Sequence, residues 1–346
     1  LYVLDVFGVF THLYELDFYS EFQYPLEGNV TKYAYQMRFN NVAEKSPINM
    51  YNYKFIHDAE HKCKEDGAGQ RAKLVFLVKS AVAHFRNRNI IRRTWGDEQR
   101  FENVKIRTIF LLGLSKDPEL QIKVERESEM YKDIVQADFI DTYYNNTIKS
   151  MTGFRWGIKY CPDAEYYISV DDDFYLSPKN LLKYLENSRK DPKNTENDID
   201  SHNSKPIDYY PAFPDGPDNP NLFAGYVFSS SPLRHKFSKW YVSFEEYPYD
   251  MWPAYVTGGT VIYSRETFIR MYYVSLFTKH FRLDDVYLGI VALKAGIEPL
   301  HCNQIHFSKA KYSGPESYQN LISTHGYDNE EELLETWIAV KAAGFA

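Results

Sequence analysis

Between residues 74 and 187, short apolar runs alternate with amphipathic stretches, which is the pattern of a strand–helix series. The predicted strands lie at 74–78, 104–112, 134–135 and 166–170, and the predicted helices at 86–95, 117–130, 147–160 and 178–187. Consecutive units of this kind place their strands parallel and side by side in one sheet. The hydrophobic pattern therefore predicts an α/β fold built on a mostly parallel sheet.

The pattern is less regular on either side of this series. Residues 11–70 show no sustained period and predict an irregular N-terminal stem, so we divide the chain into a stem at 1–70 and a main domain at 71–346. Residues 188–221 are rich in Asn, Asp, Pro and Ser and predict a flexible insertion. A strand is expected at 222–228, followed by helices at 282–296 and 329–341.

The strand at 166–170 ends in three consecutive carboxylates, Asp171, Asp172 and Asp173. Open α/β sheets bind ligands outside the carboxyl ends of their strands. Two carboxylates at i and i+2 of an extended chain point the same way, so Asp171 and Asp173 could share one divalent cation with substrate phosphates. A solvated acidic turn is the alternative. An EF-hand loop is excluded, because Leu176 and Leu182 occupy the positions that require Gly and Glu.

Basic residues follow the first predicted strand. Lys79 stands at its carboxyl end, and Arg88 and Arg92 share one face of the next helix at i, i+4 spacing. Guanidinium groups near a strand end suit the binding of a diphosphate, and a solvated basic face is the alternative.

The loop at 232–257 is crowded with aromatic residues that could stack on a sugar ring or belong to the core: Trp240, Tyr241, Tyr247, Trp252 and Tyr255. The pair Gly258 and Gly259 would allow close approach of the backbone to a ligand, or an unusual turn.

Two further candidates lie towards the C-terminus. Asp284 and Asp285 open the helix at 282–296, where acids are most often caps favoured by the helix dipole. The cap position also keeps a carboxylate ionised and available as a base. His325 taken alone is an ordinary surface histidine.

Composition narrows the class of protein. The chain has 346 residues, a net charge of −7 and a pI near 5.8, which argue against non-specific nucleic-acid binding. Its cysteines, Cys63, Cys161 and Cys302, lack C-x-x-C spacing, so zinc is not expected, and one disulfide of undetermined pairing leaves one thiol.

Three features bear on the cellular compartment. Asn29 and Asn145 begin glycosylation sequons, which matter only on the secretory route. Residues 1–10 are apolar but too short to span a bilayer. They are either the remnant of a membrane anchor or an ordinary apolar terminus.

Six ordered motifs resemble those of the β-1,3-glycosyltransferases of glycosyltransferase family 31. They cover about residues 72–340 and read FLVKS (76–80), IRRTWG (91–96), FLLG (110–113), DDD (171–173), WPAY with GG (252–259) and DDVYLG (284–289). This resemblance implies a GT-A fold, with helices on both faces of a Rossmann-like sheet, and a UDP-sugar donor with Mn²⁺.

The resemblance also implies roles for individual residues. Asp173 and His325 match metal ligands. Asp285 matches the catalytic base, with Asp284 standing where many relatives have Glu. The remaining matches fall at the donor pocket (Lys79, Arg88, Arg92, Asp171, Asp172, Gly258 and Gly259) and at the acceptor site (Trp252, Tyr255 and Asp284).

The stretches at 231–243 and 281–296 resemble family members that transfer GlcNAc from UDP-GlcNAc, with inversion, to the β-mannose of mannosyl-glucosylceramide. The resemblance further implies a single-pass type II Golgi protein with a luminal catalytic domain. The alternatives are a β-1,3-galactosyltransferase that uses UDP-Gal and a non-catalytic glycan-binding protein on the same fold. A phosphohydrolase is disfavoured, because no second convincing set of metal ligands is found.

Overall fold

The computed structural model of the chain describes residues 6–64, 71–190 and 221–346. Most of the predicted insertion at 188–221, and residues 1–5 of the candidate anchor, lie outside the described residues.

The described part contains two sets of elements that we number in chain order. The strands are β1 Phe55–His57, β2 Leu74–Lys79, β3 Ile106–Leu114, β4 Ile134–Ile140, β5 Tyr166–Asp171, β6 Tyr175–Leu176, β7 Phe223–Phe228, β8 Tyr255–Ser264, β9 Leu300–His301, β10 Ile305–His306 and β11 Ser323–Thr324. The helices are α1 Val9–His12, α2 Phe18–Glu21, α3 Val30–Asn40, α4 Phe85–Arg93, α5 Pro118–Tyr131, α6 Asn146–Tyr160, α7 Pro178–Lys190, α8 Arg265–Ser275, α9 Asp284–Lys294 and α10 Glu330–Ala342.

The main sheet has eight strands in the order β1-β4-β3-β2-β5-β8-β7-β9. Its centre, β4-β3-β2-β5, is parallel, whereas β8 runs antiparallel to both β5 and β7. A second sheet of three short strands has the order β10-β11-β6. The predicted α/β fold with a mostly parallel central sheet is therefore confirmed.

Helices cover both faces of this sheet. Every residue of β2 is therefore buried, and its side chains alternate between two cores. Leu74, Phe76 and Val78 face a core completed by α4, α5, α7 and α10. Val75 and Leu77 face a second core completed by α3, α6, α8 and α9. This two-sided burial is the physical reason for the continuous apolar run in β2.

The strand predicted at 134–135 is longer in the structure. Strand β4 continues to Ile140 through Gln136 and Asp138, whose polarity ends the apolar run. Gln136 is nonetheless buried, because its amide donates to the carbonyl oxygen of Gly113 and pairs with the side chain of Gln121. The polar residue is satisfied inside the protein rather than by water.

Residues 11–64, the described part of the expected irregular stem at 11–70, contain regular elements that pack on the main domain. Helix α3 packs against α8, strand β1 pairs antiparallel with β4, and Cys63 forms a disulfide with Cys161. Buried aromatic side chains, not a regular apolar period, hold this segment to the core: Tyr24, Tyr33 and Tyr51. The boundary near residue 70 stays a prediction. Among the described residues, no helix has the length and apolar character needed to cross a membrane.

Candidate active site

A cleft of about 710 Å³ opens at the carboxyl ends of β2 and β5. The predicted site residues that line it are Lys79, Asp171, Asp173, Trp252, Tyr255, Gly258, Gly259, Asp284, Asp285 and His325. Its other lining residues include Tyr143, Asn146, Phe228, Leu233, Lys239, Trp240, Arg282 and Phe307. The fold thus brings together residues that are more than 200 positions apart in the sequence, such as Lys79 and Asp284.

The floor of the cleft is set by strand register. Lys79 and Asp171 are the last residues of β2 and β5 and lie opposite each other in the parallel pair. The Lys79 ammonium contacts Asp171 Oδ1 at 3.1 Å and Asp284 Oδ2 at 2.8 Å. The buried Lys79 therefore joins the end of the central sheet to the start of α9. If Lys79 also contacts the donor, as predicted, it does so while paired with two carboxylates.

The electrostatics of Asp284 follow from this contact. Burial opposes its ionisation, but the charge and hydrogen bond of Lys79, with a hydrogen bond from Ser150 at 3.1 Å, hold its pKa below the usual value. Asp284 is therefore a fixed negative charge at the N-terminus of α9.

The neighbouring carboxylate behaves in the opposite way. Burial, and next the negative charge of Asp284, raise the pKa of Asp285 to about 6. Its Oδ1 accepts from the backbone N–H of Val286 at 2.8 Å, which orients the group at the helix start. A carboxylate with a pKa close to neutral is suited to general-base chemistry.

Asp171 also faces the cleft. Burial raises its pKa, Lys79 opposes this, and the charges of Asp173 and Asp284 add to the rise, although 37% of the side chain stays exposed. The cleft therefore carries more negative charge than Lys79 can neutralise.

A second pair of residues lies at the other side of the acidic cluster. Strand β11 pairs antiparallel with β6, with Thr324 opposite Tyr175, and this places His325 beside Asp173. His325 Nε2 lies 3.1 Å from Asp173 Oδ2, and this carboxylate hydrogen bond raises the pKa of the imidazole. The pairing explains how a histidine 152 residues away reaches the acidic cluster.

These two residues fit a divalent cation that also takes ligands from a substrate. Asp173 Oδ1 is buried without a hydrogen-bond partner, which is costly unless a cation or another polar group satisfies it. No group of three or more His, Cys, Asp or Glu able to hold a metal is found among the described residues. The protein thus offers two ligands here, and a phosphate-bearing ligand would have to complete the shell.

Asp172 points away from the cleft and does not match its expected place at the donor. It is buried, and its carboxylate accepts from Ser80 Oγ at 2.5 Å and lies 3.0 Å from His84 Nδ1. The indole N–H of Trp95 donates to the carbonyl oxygen of Phe174 at 3.0 Å. Asp172 and Trp95 together hold the loop that presents Asp171 and Asp173.

Arg88 and Arg92 were also expected at the donor pocket, but neither lines the cleft. Arg88 is fully buried and forms a bidentate pair with Glu127, with a shortest distance of 2.6 Å. Arg92 binds both Glu127 and Asp133. Helical spacing correctly placed the two arginines on one face, but that face is turned into the protein, and their charge is neutralised there.

Gly258 and Gly259 lie within β8 and approach the protein's own side chains instead of forming a turn. A Cβ at Gly259 would lie 2.1 Å from Cζ of Phe174, and one at Gly258 would lie 3.1 Å from Nζ of Lys79. Phe174 follows the acidic cluster directly, so the glycine permits β8 to pack against this loop.

The aromatic residues divide into core and cleft mouth. Trp252 is buried with its ring 4.0 Å from that of Tyr247, which is also buried, so Trp252 contributes to the cleft wall more than to a free stacking surface. Tyr255 lines the cleft, with its hydroxyl 3.2 Å from Ser230 Oγ. Trp240 stays exposed and donates to the hydroxyl of Tyr143 at 2.6 Å.

Ser150, Tyr143 and Arg282 are among the residues at this site that sequence reasoning did not single out. Arg282 lies two positions before Asp284, so proximity to that motif was an available signal. Ser150 and Tyr143 carry no such signal, because their position depends on how α6 and its preceding turn pack.

Comparisons with known proteins show the family of the chain. A family model described as "Galactosyltransferase" matches residues 86–207 and 214–303. The chain is 41% identical over 344 residues to the "Beta-1,3-galactosyltransferase brn" of Drosophila melanogaster, covering 99% of this chain and 94% of that protein. It is 32% identical over 299 residues to the Homo sapiens "Beta-1,3-galactosyltransferase 1", covering 86% and 82%.

A solved structure, a glycosyltransferase "involved in the glycosylation of the major capsid of PBCV-1", is similar with a TM-score of 0.37 and 10% identity, covering 77% of this chain and 98% of that one. The resemblance noted in the motifs is confirmed at the level of the family and of its insect member brainiac, the brn protein. The chain belongs to the galactosyltransferase family, glycosyltransferase family 31, and is a glycosyltransferase.

Proposed function

We propose that this chain is an inverting, metal-dependent β-1,3-glycosyltransferase with a UDP-sugar donor. One observation carries the proposal: a single cleft holds both the Asp173–His325 pair and the Asp285 carboxylate, whose pKa is raised to about 6. A cation site and a basic carboxylate in one cleft are what sugar transfer from a nucleotide diphosphate requires.

Asp285 is the proposed general base. It takes the proton of the acceptor 3-hydroxyl while that oxygen attacks C1 of the donor sugar from the face opposite the UDP. The C1–O bond to UDP breaks with its electron pair on the diphosphate, so an α-linked donor yields a β linkage. A general base of this kind contributes about 10²–10⁴-fold to the rate.

Asp173 and His325 would hold Mn²⁺, with donor phosphate oxygens completing its coordination. When bound, the ion supplies Lewis-acid stabilisation of the negative charge on the departing UDP. The unpartnered Asp173 Oδ1 supports this assignment. A phosphohydrolase on the same cluster is disfavoured, because no group of three or more His, Cys, Asp or Glu able to hold a metal occurs among the described residues.

The proposed donor is UDP-GlcNAc and the proposed acceptor is the β-mannose of mannosyl-glucosylceramide. The sequence resemblance at 231–243 and 281–296 supports this pair. UDP-Gal is the second candidate donor, because the relatives' names describe galactosyltransferases.

We also propose a Golgi location with the catalytic domain in the lumen and an N-terminal anchor. The disulfide between Cys63 and Cys161 supports this placement, since disulfides persist in oxidising compartments.

The test is sugar transfer by the purified chain with Mn²⁺ and a β-mannoside acceptor, with UDP-GlcNAc and UDP-Gal offered separately. Transfer of GlcNAc that EDTA abolishes, and Mn²⁺ restores, is the expected result. Transfer of galactose alone would keep the mechanism and overturn the donor. If neither sugar is transferred, slow metal-dependent hydrolysis of a donor would refute the acceptor, and its absence would favour a non-catalytic glycan-binding protein.

A further inference from the structure

One side of the cleft mouth exposes large apolar side chains to solvent. The loop at 231–241, which we call the rim loop, carries Phe237 with 81% of its surface exposed and Trp240 with 45% exposed. Leu233 of the same loop is also exposed, and both Leu233 and Trp240 line the cleft. Large apolar side chains that are exposed together on a protein surface often mark a binding site.

The rim loop combines these apolar groups with lysines. The Lys239 ammonium lies 4.4 Å from the centroid of the Trp240 ring and 5.3 Å from that of Tyr143. Lys236 lies next to Phe237 in the sequence. Protein surfaces that lie at the headgroup level of a bilayer are typically rich in amphipathic aromatic residues and lysines.

The N-terminal segment meets the rim loop directly. The backbone N–H of Lys236 donates to the carbonyl oxygen of Val6 at 3.0 Å, and the backbone at Gly8 packs against Arg234. Arg234 is itself fully buried and binds Glu15 at 2.7 Å, which ties the segment down. Val6 and Gly8, which belong to the apolar stretch proposed as the remnant of an anchor, therefore lie beside this loop.

We propose that the rim loop is a membrane-docking surface that inserts Phe237 at a bilayer and turns the cleft mouth towards glycolipid headgroups. The proposal rests on the glycolipid acceptor proposed above. In this arrangement the N-terminal segment, the exposed aromatic residues and the cleft mouth would all face the bilayer. Trp240 and Leu233, shared by rim and cleft, would lie where the acceptor headgroup leaves the bilayer.

The test compares Phe237→Ser with Met130→Ser in the 346-residue chain. Met130 is 72% exposed on α5, which packs against β4, near the edge of the sheet away from β7 and β8. Both variants lose an exposed apolar side chain, and neither residue lines the cleft. Binding to vesicles of phosphatidylcholine and phosphatidylserine is measured by co-sedimentation, and thermal melting checks that both variants fold.

The wild type and Met130→Ser should sediment with vesicles, and Phe237→Ser should bind about tenfold more weakly. Transfer to a water-soluble β-mannoside should be unchanged in Phe237→Ser, whereas transfer to the glycolipid embedded in vesicles should fall in parallel with binding.

Equal sedimentation of the two variants, or no binding by the wild type, would overturn the docking surface. If the wild type forms a dimer that Phe237→Ser dissociates, and vesicles do not bind, the rim is a contact between protein copies and the proposal is wrong. Absence of sugar transfer to every acceptor would refute the proposed function, while sedimentation would still decide the docking surface.

Discussion

Two of the networks of cations and carboxylates in the described part of the chain differ in balance and exposure. Under α4, Arg88 and Arg92 face Glu127 and Asp133, so the charges are equal in number and the side chains are nearly all buried. On the floor of the cleft, Lys79 contacts Asp171 and Asp284, and Asp285 follows Asp284, so these three acids outnumber the Lys79 cation and the group opens to solvent.

This difference distinguishes a network that only stabilises the fold from one that can take part in chemistry. A balanced, closed network is satisfied internally and has no group left for a ligand. In the cleft, burial and then the neighbouring carboxylates raise the pKa of Asp285 and, against the charge of Lys79, that of Asp171, which leaves both ready to bind a proton or a cation. Charge count and access, rather than the presence of ion pairs, therefore distinguish the candidate site.

The largest effect is expected from Asp285→Asn. Loss of the proposed base should lower turnover by about 10²–10⁴-fold, while folding and UDP binding stay nearly intact, because the amide keeps the size of the side chain. Turnover is measured by sugar transfer and UDP binding by calorimetry. Loss of UDP binding as well would remove the base assignment.

Arg88→Met tests the closed network. It should destabilise the protein by about 3–5 kcal/mol, since Glu127 is left buried with only part of its compensation. The measurement is denaturant unfolding, with activity per folded molecule as the second readout. The double variant Arg88→Met with Glu127→Gln is the control and should recover part of the loss. An unchanged stability with weakened donor binding would restore Arg88 to the donor pocket.

His325→Gln tests the proposed metal pair. Replacing the imidazole should weaken Mn²⁺ activation about tenfold or more, seen as a higher Mn²⁺ concentration for half-maximal activity. His84→Gln is the matched control, because His84 contacts Asp172, which is turned away from the cleft. Equal effects of the two substitutions would contradict the assignment of His325.

The smallest effect concerns pH. Asp285 acts as a base only when deprotonated, and its pKa is raised to about 6, so kcat/KM should fall about tenfold per unit below that pH. Asp284→Asn removes the neighbouring negative charge, which should move this acidic limb to lower pH. The pH profiles of both proteins test this, and a limb that stays in place would contradict the coupling.

Sequence reasoning succeeded where a signal is local. Strand β2 has no polar interruption, and Asp171, the last residue of β5, and Asp173, in the turn that follows it, both line the cleft. Sequence reasoning was wrong where the interacting residues are far apart in the sequence. Nothing near Arg88 in the sequence indicates that Glu127, 39 residues away, neutralises it, and the N-terminal aromatics gave no period from which their burial could be read.

The sequence by itself determined the strand–helix series, the acidic cluster after β5 and the family to which the chain belongs, because these depend on residue order and short-range spacing. Only the tertiary structure decided which charges meet. It placed His325 beside Asp173 through the β6–β11 pair, joined Cys63 to Cys161 and turned the arginines of α4 inward. The physical reason is that pKa values, ion pairs and burial depend on distances in space, which long-range strand and helix packing sets.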